Sequence, residues 1–130
     1  MEPTRRSAMR RNLDLLRTIL LRAEEAAPGT NLLELGIDEV DFAELAHHAE
    51  LLVEAGLLRA QISYMERSPV PVYVVVERLT WPGYEFVDLA RDDERWERVL
   101  ARVAAGVGAT SFEILRELLR EAHVAALTRH

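Results

Sequence analysis

Val70, Val72, Val74 and Val76 alternate along one run, and a second strand-like run, residues 60–66, precedes it across Ser68-Pro69-Val70-Pro71. β-branched side chains suit pleated backbone, and a period of two places them on one face. Two prolines in four residues make the connection a turn, so residues 60–66 and 72–78 are expected to pair as a hairpin. An isolated hairpin is marginal in water. The remainder of the chain must therefore supply an apolar cover, and that remainder is written in helical spacing.

A first helix is expected from Leu13 to Ala27, capped by Asn12, with Asp14 in its first turn and Pro28-Gly29 as its stop. Leu13, Leu16, Leu20, Ala23 and Ala27 make its inward stripe. Leu32–Leu35 is a brief strand or an apolar plug. A second helix runs from Asp38 to Ala55 with Phe42, Leu45, Ala46, Ala49 and Leu52 inward, and Gly56 ends it as a left-handed cap before Leu57-Leu58. After the hairpin, Thr80 caps a short helix to Leu89, with Pro82 tolerated in its first turn. Asp92 or Asp93 caps the next, which carries Trp96, Val99, Leu100 and Val103 as a stripe. Gly106-Val107-Gly108 breaks it. Thr110 and Glu113 suggest a capping box for a last helix with Leu115, Leu118, Leu119, Ala122 and Ala126 inward.

The order helix, short strand, helix, hairpin, helices gives an α+β, mostly helical, winged-helix-like domain over residues 9–130 with additional C-terminal helices. Residues 1–8 are expected to be a flexible extension. The charged start, Met1 to Met9, lacks the apolar stretch of a secretory signal, and no run approaches the ~20 apolar residues of a membrane span. A cytoplasmic location follows as the expectation.

All sixteen basic residues are Arg, and there is no Lys and no Cys. Coding bias in a GC-rich genome accounts for this without any functional preference. The composition nonetheless excludes Schiff-base chemistry, a P-loop lysine, a thiolate nucleophile and thiolate metal sites. The net charge of −6 is unevenly spread: residues 23–58 hold nine acids and no base, while residues 1–22 hold six Arg against Glu2 and Asp14.

Three segments carry a family resemblance. They are Met9-Arg10-Arg11-Asn12-Leu13-Asp14-Leu15-Leu16-Arg17-Thr18-Ile19-Leu20, His48-Ala49-Glu50-Leu51-Leu52-Val53-Glu54-Ala55-Gly56-Leu57, and Arg78-Leu79-Thr80-Trp81-Pro82-Gly83-Tyr84-Glu85-Phe86-Val87. With Trp96 and the Ser111–Leu119 helix after them, they resemble the bacterial and phage family called domain of unknown function 2513. The resemblance covers nearly the whole chain from Met9 onward and implies a winged-helix-like fold. It brings no activity and no site residues.

In winged-helix regulators the Asp41–Ala55 helix enters the major groove. DNA affinity rests on neutralising phosphates with Lys and Arg. This helix has neither, and it lacks the Asn, Gln, Ser and Thr that read base edges. The short helix expected before a recognition helix is also hard to find between Gly36 and Asp41. A protein partner of basic character, met through Asp41, Glu44, Glu50 and Glu54, is the expected use of the surface, and a homodimer is a further possibility. The alternative is a DNA-binding regulator touching phosphates through Arg5, Arg6, Arg10, Arg11 and Arg67, with Arg59 and Arg78 also flanking the hairpin. Against that, Arg67 and Arg78 have adjacent Glu66 and Glu77 as partners.

Enzymatic patterns are thin. Glu44-Leu45-Ala46-His47 has the carboxylate–histidine spacing of di-iron bundles but occurs once. His47 and His48 diverge on a helix, His123 lies near the chain end and His130 is terminal. His48 is expected to be a packed core or boundary residue. Trp81, Tyr84, Phe86 and Trp96 are expected to pack in the core, with Gly83 permitting close helix approach to the hairpin. No catalytic residue, metal or cofactor is assigned.

Overall fold

The computed structural model describes residues 11–106 and 111–128. Among them lie α1 (Leu13–Glu25), β1 (Thr30–Asn31), a 3-10 turn (Leu32–Leu35), α2 (Phe42–Glu54), β2 (Leu58–Tyr64), β3 (Pro71–Leu79), α3 (Trp81–Ala90), α4 (Asp93–Ala105) and α5 (Phe112–Leu127). The strands form one antiparallel sheet in the order β1-β3-β2. This is the expected α+β class, and the element order is consistent with a winged-helix-like layout. The extension over residues 1–8, Arg5, Arg6, Arg10, Val107, Gly108, Thr110 and His130 lie outside the described residues. No helix among the described residues is long and apolar enough to cross a membrane. The chain groups into two compact units, Met1–Tyr84 and Glu85–His130.

In the first unit, the Asn12 side chain accepts from the Leu15 N–H and so starts α1 as expected. The buried stripe is Leu15, Ile19, Leu20 and Ala23. Leu13 and Leu16 are half-buried and Ala27 is exposed beyond the helix end, which corrects the expected stripe. α1 is rich in leucine, so two overlapping stripes satisfy helical spacing, and tertiary contact selects between them. Leu32–Leu35 is a 3-10 turn capped by Asn31, with Leu32 and Leu35 buried; the strand is the preceding pair, Thr30 and Asn31. Between this turn and α2, over residues 36–41, there is no helix, as expected. The Arg22 guanidinium donates to the Leu35 and Gly36 carbonyls at 3.0 and 2.9 Å and fixes the loop that follows.

α2 begins at Phe42, four residues later than expected, because Glu39 has φ 65 and breaks the helical run. Asp41 then caps it by accepting from the Glu44 N–H at 2.9 Å. Leu45, Ala46, His48, Ala49 and Leu52 are buried, and Gly56 ends the segment at φ 79. Each fully buried Leu or Val stabilises by about 1.5–3 kcal/mol.

β2 and β3 form the expected hairpin, with Ala60 facing Val76 and Ile62 facing Val74. Val74 and Val76 are buried, whereas Val70 and Val72 are exposed, since a register shift between Ser63 and Tyr64 interrupts the alternation. The tight turn is Met65–Ser68, closed by Ser68 N–H donating to Met65 O at 3.0 Å, and not the Ser68–Pro71 stretch. The Thr80 hydroxyl accepts from Gly83 N–H at 3.0 Å and donates to Gly56 O at 2.6 Å. One side chain thus caps α3 and ties it to the end of α2. Trp81 and Tyr84 do not join the core: Trp81 is 76% exposed. A helix this short buries one side only, and Gly83, Phe86, Val87 and Ala90 occupy it.

In the second unit, Phe86 meets Trp96 edge-on at 6.3 Å and Phe112 at 5.3 Å, an aromatic cluster with Trp96 and Val99 buried beneath α4. Asp92 caps α4; the Arg95 backbone N–H it accepts, with the Arg95 and Arg98 charges, holds its carboxyl below the usual value. α5 is capped by Ser111, whose hydroxyl accepts from Ile114 N–H, and not by the expected Thr110–Glu113 box. Leu115 and Leu119 are buried, while Leu118, Ala122 and Ala126 are half-buried.

Candidate interaction face

A helix turns ~100° per residue, so Ala43, His47, Glu50, Leu51 and Glu54 share the side of α2 opposite its buried residues. Ala43 and Glu54 are exposed and the other three half-buried. The four acidic residues proposed from sequence do not form one cluster. Asp41 serves as the cap, and Glu44, half-buried, lies about 15 Å along the axis from Glu54. Glu50 and Glu54, one turn apart, are the pair the fold brings together.

Tyr64, at the end of β2, donates its hydroxyl to the Glu50 carboxylate. That bond first, then burial and the Glu50 and Glu54 charges, pushes the Tyr64 hydroxyl above its ordinary pKa. Sequence reasoning missed Tyr64. The signal available was weak: an aromatic residue directly after Ser63, at the tip of a strand whose other outward residues are polar.

The hairpin end mixes apolar side chains with exposed Glu66 and Arg67. Tyr64, Met65, Val70, Val72 and Tyr73 are all exposed, Met65 to 62%. The basic residues near it are largely committed elsewhere. Arg59 reaches across the strands to Glu77 at 3.8 Å, and the Arg78 guanidinium donates to Leu79 O at 2.9 Å. The expected Arg78–Glu77 pair is therefore replaced by Arg59–Glu77, the Arg78 guanidinium being taken up by the Leu79 carbonyl. Arg67 sits in the turn at φ 63, exposed. Arg11 lies just ahead of the Asn12 cap; the other three residues of the proposed basic arm lie outside the described residues.

His48 is 1% exposed, as the core reading expects. Its Nε2 accepts from the Asn12 backbone N–H and its Nδ1 faces the Glu44 carbonyl, both at 2.9 Å. A single tautomer, with the proton on Nδ1, satisfies both bonds. The side chain thus ties the start of α1 to α2 and holds α2's outward side in place. We expect His48→Ala to lower unfolding free energy by about 1–3 kcal/mol, the cost of an orphaned buried donor, measured by urea denaturation. A loss under ~0.5 kcal/mol, the range of ordinary surface changes, would remove this role. His47 meets the His48 ring edge-on at 5.5 Å. Among the described residues no group of three or more His, Asp or Glu side chains is placed to hold a metal ion.

No solved structure matches the chain. An uncharacterized protein of Haemophilus influenzae is 30% identical over 111 residues, covering 85% of this chain and 92% of that protein. The family model described as hypothetical protein (DUF2513) matches residues 10–109, which include α2, the hairpin and the histidine tie. The chain belongs to the DUF2513 family.

Proposed function

We propose that this protein is a non-catalytic docking module whose outward α2 face takes a basic protein partner. One observation carries the reading: where a winged-helix regulator presents its recognition helix, α2 presents Glu50 and Glu54, and residues 23–58 contain no base at all. Such a face repels phosphates and speeds encounter with cationic proteins. The cysteine-free composition fits a reducing cytoplasm. Regulation of a mobile element or its host is part of this proposal, and it is supported only by the resemblance to a bacterial and phage family.

The test is a salt series with random duplex DNA and a charge-reversed variant. Glu44→Arg, Glu50→Arg and Glu54→Arg together bring the net charge of −6 to neutrality. The native protein is expected not to bind duplex even at low salt. The variant is expected to bind non-specifically, with a salt slope of at most ~2.7 from three new phosphate contacts. Tight, steeply salt-dependent binding by the native protein would instead support a DNA-binding regulator acting through Arg11, Arg67 and the Arg5, Arg6 and Arg10 arm.

A further inference from the structure

We propose that β2 takes an extended, Lys/Arg-rich protein segment as a fourth strand along its open edge. This rests on the acidic-face reading above and deepens it by naming the form in which the partner binds. In the order β1-β3-β2, β2 is an outer strand, hydrogen-bonded on one side to β3. Among the described residues no other backbone bond reaches Arg59–Tyr64. Arg59, Gln61 and Ser63 are exposed, and Ala60 and Ile62 half-buried. An outer strand offers a row of N–H and C=O groups, which proteins blunt with prolines, charges, shortness or a cover. β1, on the opposite side of the sheet, is two residues long. β2 is seven residues long, with neither Pro nor Gly and a single charge, Arg59. Register shifts at Arg59/Ala60 and Ser63/Tyr64 frame a regular, uncharged stretch, Ala60–Ser63. That stretch is a template for main-chain pairing with an extended peptide.

Charge then selects the occupant. α2 packs on β2, and the Tyr64–Glu50 hydrogen bond sets Glu50, with Glu54 one turn on, beside the end of this strand. A strand added along β2 places alternate side chains on the α2 side of the sheet, where cationic ones meet these two carboxylates. Two copies of β2 paired about a two-fold axis would instead bring α2 beside α2, acid against acid. A cationic extended segment satisfies both the open edge and the charge next to it.

The experiment uses the full chain and two labelled peptides of one sequence, alternating Arg and Thr, in fluorescence anisotropy at near-physiological salt. The second peptide is N-methylated at two adjacent central residues, which blocks both of its hydrogen-bonding edges and keeps every charge. The unmethylated peptide is expected to bind at least about tenfold more tightly, what the loss of one or two hydrogen bonds costs. In amide exchange, the fast-exchanging amides within Ala60–Ser63 should gain protection with the unmethylated peptide and not with the methylated one. Glu50→Gln with Glu54→Gln should weaken both peptides. Equal binding of the two peptides, or binding that leaves exchange in β2 unchanged, overturns the added strand and leaves the acidic-face reading standing. No binding of either peptide removes both readings. Protection of Ala60–Ser63 that rises with protein concentration in the absence of peptide assigns the edge to a second copy and overturns the proposal.

Discussion

Gly83→Ala is expected to destabilise the protein by about 3 kcal/mol, the upper part of the range for overpacking. In an ordinary helix interior the same change stabilises by roughly 0.5–1 kcal/mol, because alanine loses less backbone entropy. Here the two effects oppose each other, and the contact decides. A Cβ at Gly83 would lie 2.1 Å from the Leu57 carbonyl oxygen and 3.0 Å from its carbon. Those are backbone atoms, and they cannot swing aside as the end of a side chain does. The Leu57 carbonyl also accepts from Thr80 N–H at 3.1 Å, so moving it away breaks the joint between α2 and α3. Gly83→Val adds branching to the same collision and should cost more. Urea unfolding of both variants measures this; a neutral or stabilising Gly83→Ala would show that α3 can retreat, and the close approach would then be incidental.

What was legible in the sequence was mostly local. The caps of Asn12, Thr80 and Asp92 all act on a backbone N–H three residues on, and a cap needs no knowledge of the rest of the fold. Gly56 is of the same kind, a chain reversal set by its own backbone. The failures have a common cause too. Leu13 and Leu15 fit helical stripes equally well, and only packing against other elements chooses. Ser111 and Thr110 stand side by side with equivalent hydroxyls, so the pattern Thr-x-x-Glu misdirected the choice of cap. Trp81 has the side chain of a core residue, but its place at the start of a short helix leaves it in solvent.

The candidate surface divides the same way. The excess of acid over residues 23–58 is written plainly, and it disfavours groove reading on charge alone. Which acids act together was not written. Asp41 turned out to be consumed by its cap, and Glu50 gained Tyr64, fourteen positions away, only because β2 returns alongside α2. His48 was expected to be buried, yet the partner that makes it more than filler, Asn12 N–H, is thirty-six positions distant. Contacts of that range carry no local spacing signal.

Replacing Trp96 by alanine should cost the second unit about 3–5 kcal/mol, the usual range for removing a buried indole. Trp96 is 1% exposed, and its edge meets Phe86, which in turn stacks obliquely on Phe112. Three helices contribute one aromatic ring each: Phe86 from α3, Trp96 from α4 and Phe112 from α5. Few other large side chains are buried in this unit. Leu115, Leu119, Val87 and Val99 are the main aliphatic support, and a cavity left by an indole cannot be closed by residues of that size. The caps at Asp92 and Ser111 hold helix ends and cannot replace a core. The expected result is loss of amide-exchange protection through α4 and α5, accompanied by a lower urea midpoint. Trp96→Phe retains much of the apolar area and should recover most of the loss, as volume-conserving changes do. If Trp96→Ala left α4 and α5 protected to the native degree, the aromatic cluster would not be what holds them, and the half-buried Leu100, Val103 and Leu118 would have to carry the unit instead.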